Sequence, residues 1–188
     1  MKIHPQHIGF DIDGVVADTM EAFIRIAAAD YGVAVAPDEI TEFQVEDCLD
    51  MNPAHIQEIF ERLLEDPQSS GLKLMPYAKE VLTEFAKQAP LTFITARPQR
   101  KPIAGWLENA LGRAVYKSVR LVATGEHDGK TNHIKEMGLK YFVDDRVQTC
   151  LMLHQDGVTP YVFSQPWNDG KHTLQTVDSW LAIRNLCL

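Results

Sequence analysis

Short apolar runs alternate with amphipathic stretches over most of the chain, and that alternation governs how the rest is read. Residues 8–10, 91–95, 119–123, 141–143 and 160–163 are apolar runs of strand length. A stretch of helical spacing over 21–31 sets Phe23, Ile24, Ile26, Ala27 and Tyr31 on one side and stops at Gly32. Helices are also predicted from Ala78 to Phe85 and through Ile103, Trp106, Leu107, Ala110 and Leu111. Further helices are predicted over 130–137 before Gly138, over 147–154, and over 174–183. Buried strands separated by covering helices imply a parallel sheet with helices on both faces.

One stretch breaks the rhythm. Asn52 and Pro53 read as a helix cap followed by proline in the first turn. Ile56, Ile59, Phe60, Leu63 and Leu64 then repeat at helical spacing, while Glu58, Glu61 and Glu65 fall on the other side. That placement predicts a charged face in solvent and an apolar stripe packed within the insert. Asp66 to Gly71 is a cluster of helix breakers, and 33–50 is acidic with no assignable element. Residues 19–73 are therefore read as a small helical insert, and 1–18 with 74–188 as the core.

The polar residues that interrupt the apolar runs carry the chemistry. Asp11, Thr95 and Asp144 each stand at the carboxyl end of a predicted strand, the edge where open α/β sheets bind ligands. Asp11 and Asp13 are two residues apart, so an extended backbone points them the same way before Gly14 breaks the strand. Two acids on one face of a buried edge repel each other and lose water, a cost that suits a bound metal or a nucleophile beside a proton donor.

Taken in order, Asp11-Ile12-Asp13-Gly14, Thr95 closing Phe93-Ile94-Thr95, Lys130 opening a helix, and Asp144-Asp145 after Tyr141-Phe142-Val143 resemble the four motifs of the haloacid dehalogenase (HAD) superfamily in its phosphatase branch. The resemblance implies an α/β, Rossmann-like three-layer sandwich with a parallel central sheet and a small helical cap inserted after the first strand. It implies that Asp11 attacks phosphorus to form an aspartyl-phosphate, and that Asp13 protonates the leaving alcohol and so begins protonated. Thr95, the Ala96 N–H and Lys130 would hold the phosphoryl group. The resemblance further implies Mg²⁺ held by Asp11, the Asp13 carbonyl, Asp144 and Asp145, since hard oxygens with open water positions suit that ion. Asp13 and the Asp144-Asp145 pair argue against dehalogenation, and no loops suited to a phosphomutase are evident. A phosphate monoester hydrolase is the expected activity. The run Asp11 to Asp18, the small cap and Ser164-Gln165-Pro166-Trp167-Asn168 are similar to the 5′-nucleotidase and deoxyribonucleotidase group, which implies a nucleoside monophosphate as substrate. The alternatives are a phosphatase for a sugar or organic acid phosphate and a nucleotide-binding regulator without turnover. Phe43 is read either as an aromatic contact for a base or as packing, Arg97 either as an anion contact or as structural, and Trp167 as an anchor of its loop.

Charge narrows the partners. Of the net −8, residues 37–70 carry ten acids against Arg62 alone, so the remaining chain sums to about +1. No basic stripe exists to track a nucleic-acid backbone. No apolar stretch is long enough to span a bilayer, and the amino terminus shows no signal-peptide core. Cys48, Cys150 and Cys187 match neither a zinc spacing nor a disulfide framework and read as small buried hydrophobes in a reducing cytoplasm. Gly125 to Thr131 falls one residue short of a P-loop between its glycines, and the seven scattered histidines read as solvated or core residues.

Overall fold

The computed structural model describes residues 2–188. In chain order it comprises β1 (Ile8–Phe10), α1 (Thr19–Tyr31), α2 (Pro53–Glu65), α3 (Ala78–Ala86), β2 (Leu91–Thr95), α4 (Arg100–Leu111), α5 (Arg113–Tyr116), β3 (Val119–Ala123), α6 (Lys130–Glu136), β4 (Tyr141–Asp144), α7 (Val147–Gln155), β5 (Thr159–Phe163), β6 (Thr176–Val177) and α8 (Trp180–Cys187). The unassigned acidic stretch holds two short 3-10 turns, Pro37–Glu39 and Val45–Asp47. Every strand pair is parallel, in the order β3-β2-β1-β4-β5-β6. The chain runs outward from β1 through β2 to β3, then returns to the other flank of β1 with β4. The carboxyl end of β1 is thus the point where the winding reverses, and a crevice opens there.

The last helix departs from the expected position. It begins at Trp180, with Ser179 accepting a hydrogen bond from the Ala182 N–H, and not at 174. The residues just before it add a sixth strand, which the sequence did not announce. Thr176 and Val177 pair with Val162 and Phe163, so edge pairing on β5 outweighs the helical reading of so short a segment. The first helix starts two residues early, at Thr19, because Asp18 caps it through the Glu21 N–H.

Two tryptophans tie the surroundings of the site together. Phe10 of β1 packs 5.1 Å from the Trp180 ring and 6.4 Å from that of Phe85. Burying each such ring contributes on the order of 2–3 kcal/mol. The Trp180 indole N–H also donates to the Val15 carbonyl at 2.8 Å, anchoring the loop after Asp13 to α8. Trp106 of α4 donates to the Leu72 carbonyl at 2.9 Å. The segments on either side of residues 19–72 run side by side: Asp18 N–H donates to Lys73 O, and Met75 N–H to Val16 O. Cys150 and Cys187 are buried, Cys48 is half-buried, and all three are free thiols. Among the described residues no helix is long and apolar enough to cross a membrane.

Candidate active site

β1 delivers Asp11 to the crevice, and the following turn presents Asp13. Gly14 turns the chain at a φ of 71°, and a side chain there would meet Asp145 Oδ2 at 2.4 Å. Only glycine satisfies both demands, the left-handed backbone and the close approach of a carboxylate. From the neighbouring strands, β2 ends on Thr95 and β4 on Asp144, with Asp145 next in the chain. Asp11, Thr95, Asp144 and Asp145 are almost completely buried, and Asp13 is half-buried.

Asp11, Asp144 and Asp145 each offer a carboxylate oxygen within 4.8 Å of the others. Lys130, the first residue of α6 and fully buried, stands between two of them, 2.9 Å from Asp11 Oδ1 and 2.8 Å from Asp144 Oδ2. Lys130 meets the buried Asp11 Oδ1 as an ion pair. Burial opposes the ammonium charge, but Asp11 and Asp144 beside it raise the Lys130 pKa on balance. Burial, with the charges of Asp144 and Asp13, pushes Asp11 up to about 7 against the pull of Lys130. Burial, with the charges of Asp144 and Asp11, raises Asp145 as well. Three hard carboxylate donors gathered this closely fit a divalent cation such as Mg²⁺.

The raised Asp11 pKa has a consequence for stability. A carboxyl with a folded pKa above its unfolded value stabilises the fold while protonated, and that contribution is lost as pH rises toward about 7. In metal-free protein, Asp11→Asn is therefore expected to gain thermal stability relative to wild type as pH rises from about 4 to about 7. Thermal unfolding in excess chelator checks this; a constant difference between the two proteins would contradict it.

Asp13 does not join the three-carboxylate cluster. Arg97 Nε and a terminal nitrogen donate to its two oxygens at 2.9 and 2.8 Å, and Thr19 Oγ1 donates to Oδ1 at 2.7 Å. Burial raises the Asp13 pKa, but the Arg97 charge and these hydrogen bonds outweigh it and hold the group below the usual carboxylate value. Asp13 is therefore ionised here, contrary to the expectation that it begins protonated. Arg97, read either as an anion contact or as structural, is only 3% exposed, lines the cavity over the carboxylates, and makes its third contact to the Leu63 carbonyl of α2 at 2.8 Å. A planar guanidinium fork matches two carboxylate oxygens, so Asp13 captures it.

Above the carboxylates lies a cavity of about 290 Å³. Its floor includes Asp11, Asp13, Thr95 and Ala96, and its walls include Met20, Phe43, Val45, Phe60, Leu63 and Leu64. The stripe of α2 thus does more than pack within the insert. Ile56 and Ile59 are buried, but Phe60, Leu63 and Leu64 turn toward the cavity, while Glu58, Glu61 and Glu65 face solvent. Phe43 is half-buried, with its ring 5.5 Å from the edge-on His127 ring and the Arg146 guanidinium 5.6 Å from its centre. His127, read as solvated or core, lines the cavity, and burial lowers its pKa.

A model of the family "5' nucleotidase, deoxy (Pyrimidine), cytosolic type C protein" matches residues 5–188. The chain belongs to this family. It is a phosphatase of the HAD type, as its four motifs indicate. The fold has solved relatives at low identity. A HAD-superfamily hydrolase from Ehrlichia chaffeensis is 12% identical, covers 98% of this chain and 96% of its own, and superposes with a TM-score of 0.58. A haloacid dehalogenase-like hydrolase from Streptococcus pneumoniae is 14% identical over 94% and 95%, with a TM-score of 0.59. A HAD-superfamily hydrolase of subfamily IA from Geobacter sulfurreducens is 15% identical over 95% and 94%, with a TM-score of 0.58. No curated protein matches this family member in sequence.

Sequence reasoning passed over Thr19, His127, Arg146, Gln165 and Asn168 as contributors to the site. Gln165 and Asn168 stand in the Ser-Gln-Pro-Trp-Asn run, whose resemblance names no contact for either side chain. Nothing in the local pattern singles out Arg146 as a partner of Phe43.

Proposed function

We propose that this phosphatase is Mg²⁺-dependent, forms an aspartyl-phosphate on Asp11, and acts on nucleoside monophosphates. The observation that supports it best is the joining of two unlike surfaces, a buried carboxylate floor under an apolar and aromatic wall supplied by residues 19–73. In this reading those residues are the cap and the rest is the core. A phosphoryl group needs the floor, and the flat apolar face of a base suits the wall. The three free cysteines agree with a reducing cytoplasm.

Asp11, the Asp13 carbonyl, Asp144 and Asp145 would hold the cation, directly or through water. Bound there, Mg²⁺ would offset repulsion between the carboxylates and a phosphate dianion. Asp11 attacks phosphorus and carries the phosphoryl group, which divides one difficult hydrolysis into two steps. Thr95 and the Ala96 N–H receive non-bridging oxygens, and Lys130 supplies positive charge beside the reacting carboxylate. Asp13 must hold a proton to release the alcohol. A dianion arriving beside Thr95 competes for the Arg97 guanidinium, and Asp13, relieved of that partner, is easier to protonate. Asp13 then takes a proton from the water that cleaves the acyl-phosphate.

Phe43 tests the nucleotide part of the proposal. Phe43→Ala is expected to lower kcat/KM toward nucleoside monophosphates on the order of tenfold, with a smaller loss toward a base-free ester, because stacking on one aromatic ring is worth about 1–3 kcal/mol. Steady-state phosphate release from both substrates checks this. Equal losses would make Phe43 a packing residue and leave a phosphatase with some other small substrate.

A further inference from the structure

The loop after β5 is built around the two segments that would hold the cation, and nothing in the chemistry above uses it. Within the loop, Gln165 N–H donates to Asn168 Oδ1 at 3.0 Å, and Asn168 N–H returns a bond to Gln165 O at 3.1 Å. This closes a tight turn with three side chains facing the site. Asn168 Nδ2 donates to the Asp145 and Phe163 carbonyls, both at 2.8 Å. Gln165 Nε2 donates to the Gly14 carbonyl at 2.7 Å. Trp167 Nε1 donates to Asp145 Oδ2 at 3.0 Å. Asn168 and Trp167 are 2% and 5% exposed, so these bonds are sheltered from competing water.

The contacts fix Asp145 on every side. Its backbone carbonyl is held by Asn168. Its Oδ2 is wedged between the Trp167 N–H and the bare Cα of Gly14, where no Cβ would fit. With one oxygen so occupied, the carboxylate has a single orientation relative to Asp11 and Asp144. The Gln165 bond meanwhile ties the Asp13–Gly14 turn to the same loop. A carboxylate aimed in advance spends less free energy on ordering when a cation arrives, and supporting hydrogen bonds of this kind are worth about 10- to 100-fold in metal affinity.

We infer that Gln165, Trp167 and Asn168 form a positioning brace that sets divalent-cation affinity by holding Asp145 and the Gly14 turn in register. The inference rests on the cation reading of the site. Trp167 and Gln165 are thus positioning residues with no part in the bond-making steps. The indole N–H is the component to remove, because phenylalanine keeps most of the buried ring and deletes only the donor.

Calorimetric titration of Mg²⁺ into metal-free protein provides the test, with wild type, Trp167→Phe and Gln165→Met compared. Trp167→Phe is expected to weaken Mg²⁺ binding at least about tenfold. Its Mg²⁺ concentration for half-maximal turnover should rise by a similar factor, with a smaller fall in kcat at saturating Mg²⁺. A merely structural role would lower the thermal midpoint and kcat without that split. Wild-type affinity in a folded Trp167→Phe protein would overturn the brace while leaving the cation reading intact. Should Trp167→Phe fail to fold, half-exposed Gln165 carries the test, and unchanged affinity in Gln165→Met would overturn the proposal. Absence of Mg²⁺ binding by wild type would remove the cation reading and the brace with it.

Discussion

Asp11→Asn is expected to cut hydrolysis of any phosphate monoester by at least about a thousandfold while the protein stays folded. The substitution is close to isosteric, so shape is preserved at a position only 5% exposed. What it removes is the nucleophilic oxygen, because an amide cannot form the acyl-phosphate. The fold should not suffer. Asp11 sits among Asp13, Asp144 and Asp145, and burial makes its charge costly, as its raised pKa shows. Removing one of several crowded acids relieves repulsion, at the cost of one contact with Lys130. Phosphate release under saturating substrate, with circular dichroism as the fold control, decides the matter. Activity within tenfold of wild type would take the nucleophile's role away from Asp11.

The second large effect concerns Asp144 and the cation. Excess chelator is expected to abolish turnover reversibly, and Asp144→Asn to lower it at least about a hundredfold even with abundant Mg²⁺. Both Asp144 oxygens are already engaged. Oδ2 accepts from Lys130 at 2.8 Å and Oδ1 from the Arg146 N–H at 2.9 Å. An asparagine amide offers one acceptor and one donor, so whichever way it turns, its NH₂ faces another donor. That conflict leaves a buried donor unsatisfied, either the Lys130 ammonium or the Arg146 N–H, a loss of about 1–3 kcal/mol. Asp145→Asn should do less harm, because its amide oxygen still accepts from Trp167. Activity and Mg²⁺ affinity measured side by side check the ranking. Full turnover in chelator would end the metal-assisted reading, and a milder effect at Asp144 than at Asp145 would overturn the argument from its two donors.

The chain's own pattern determined the sheet and its reactive edge. Strands buried on both faces must be apolar throughout, so they stand out against amphipathic helices, and the first polar residue after each marks the rim. Asp11, Thr95 and Asp144 were legible for that reason, whereas Lys130, at the start of a helix, stood out only through the resemblance of the four motifs. The pattern also set which face of α2 is charged, since helical periodicity separates Glu58, Glu61 and Glu65 from the apolar stripe. Periodicity says which residues share a face, however, and is silent on what that face meets. Only the packing of residues 19–73 onto the sheet edge turned Phe60, Leu63 and Leu64 toward the cavity. Partners distant in sequence were equally hidden. Arg97 reaches Asp13 across 84 positions and Gln165 reaches Gly14 across 151. Those pairings exist because β1 lies between β2 and β4, with β5 next to β4, which brings the loops after all four parallel strands to one rim. Even the two-residue strand at Thr176 follows this logic, since its identity comes from the exposed edge of β5 and too little of it lies in its own residues to read as a strand.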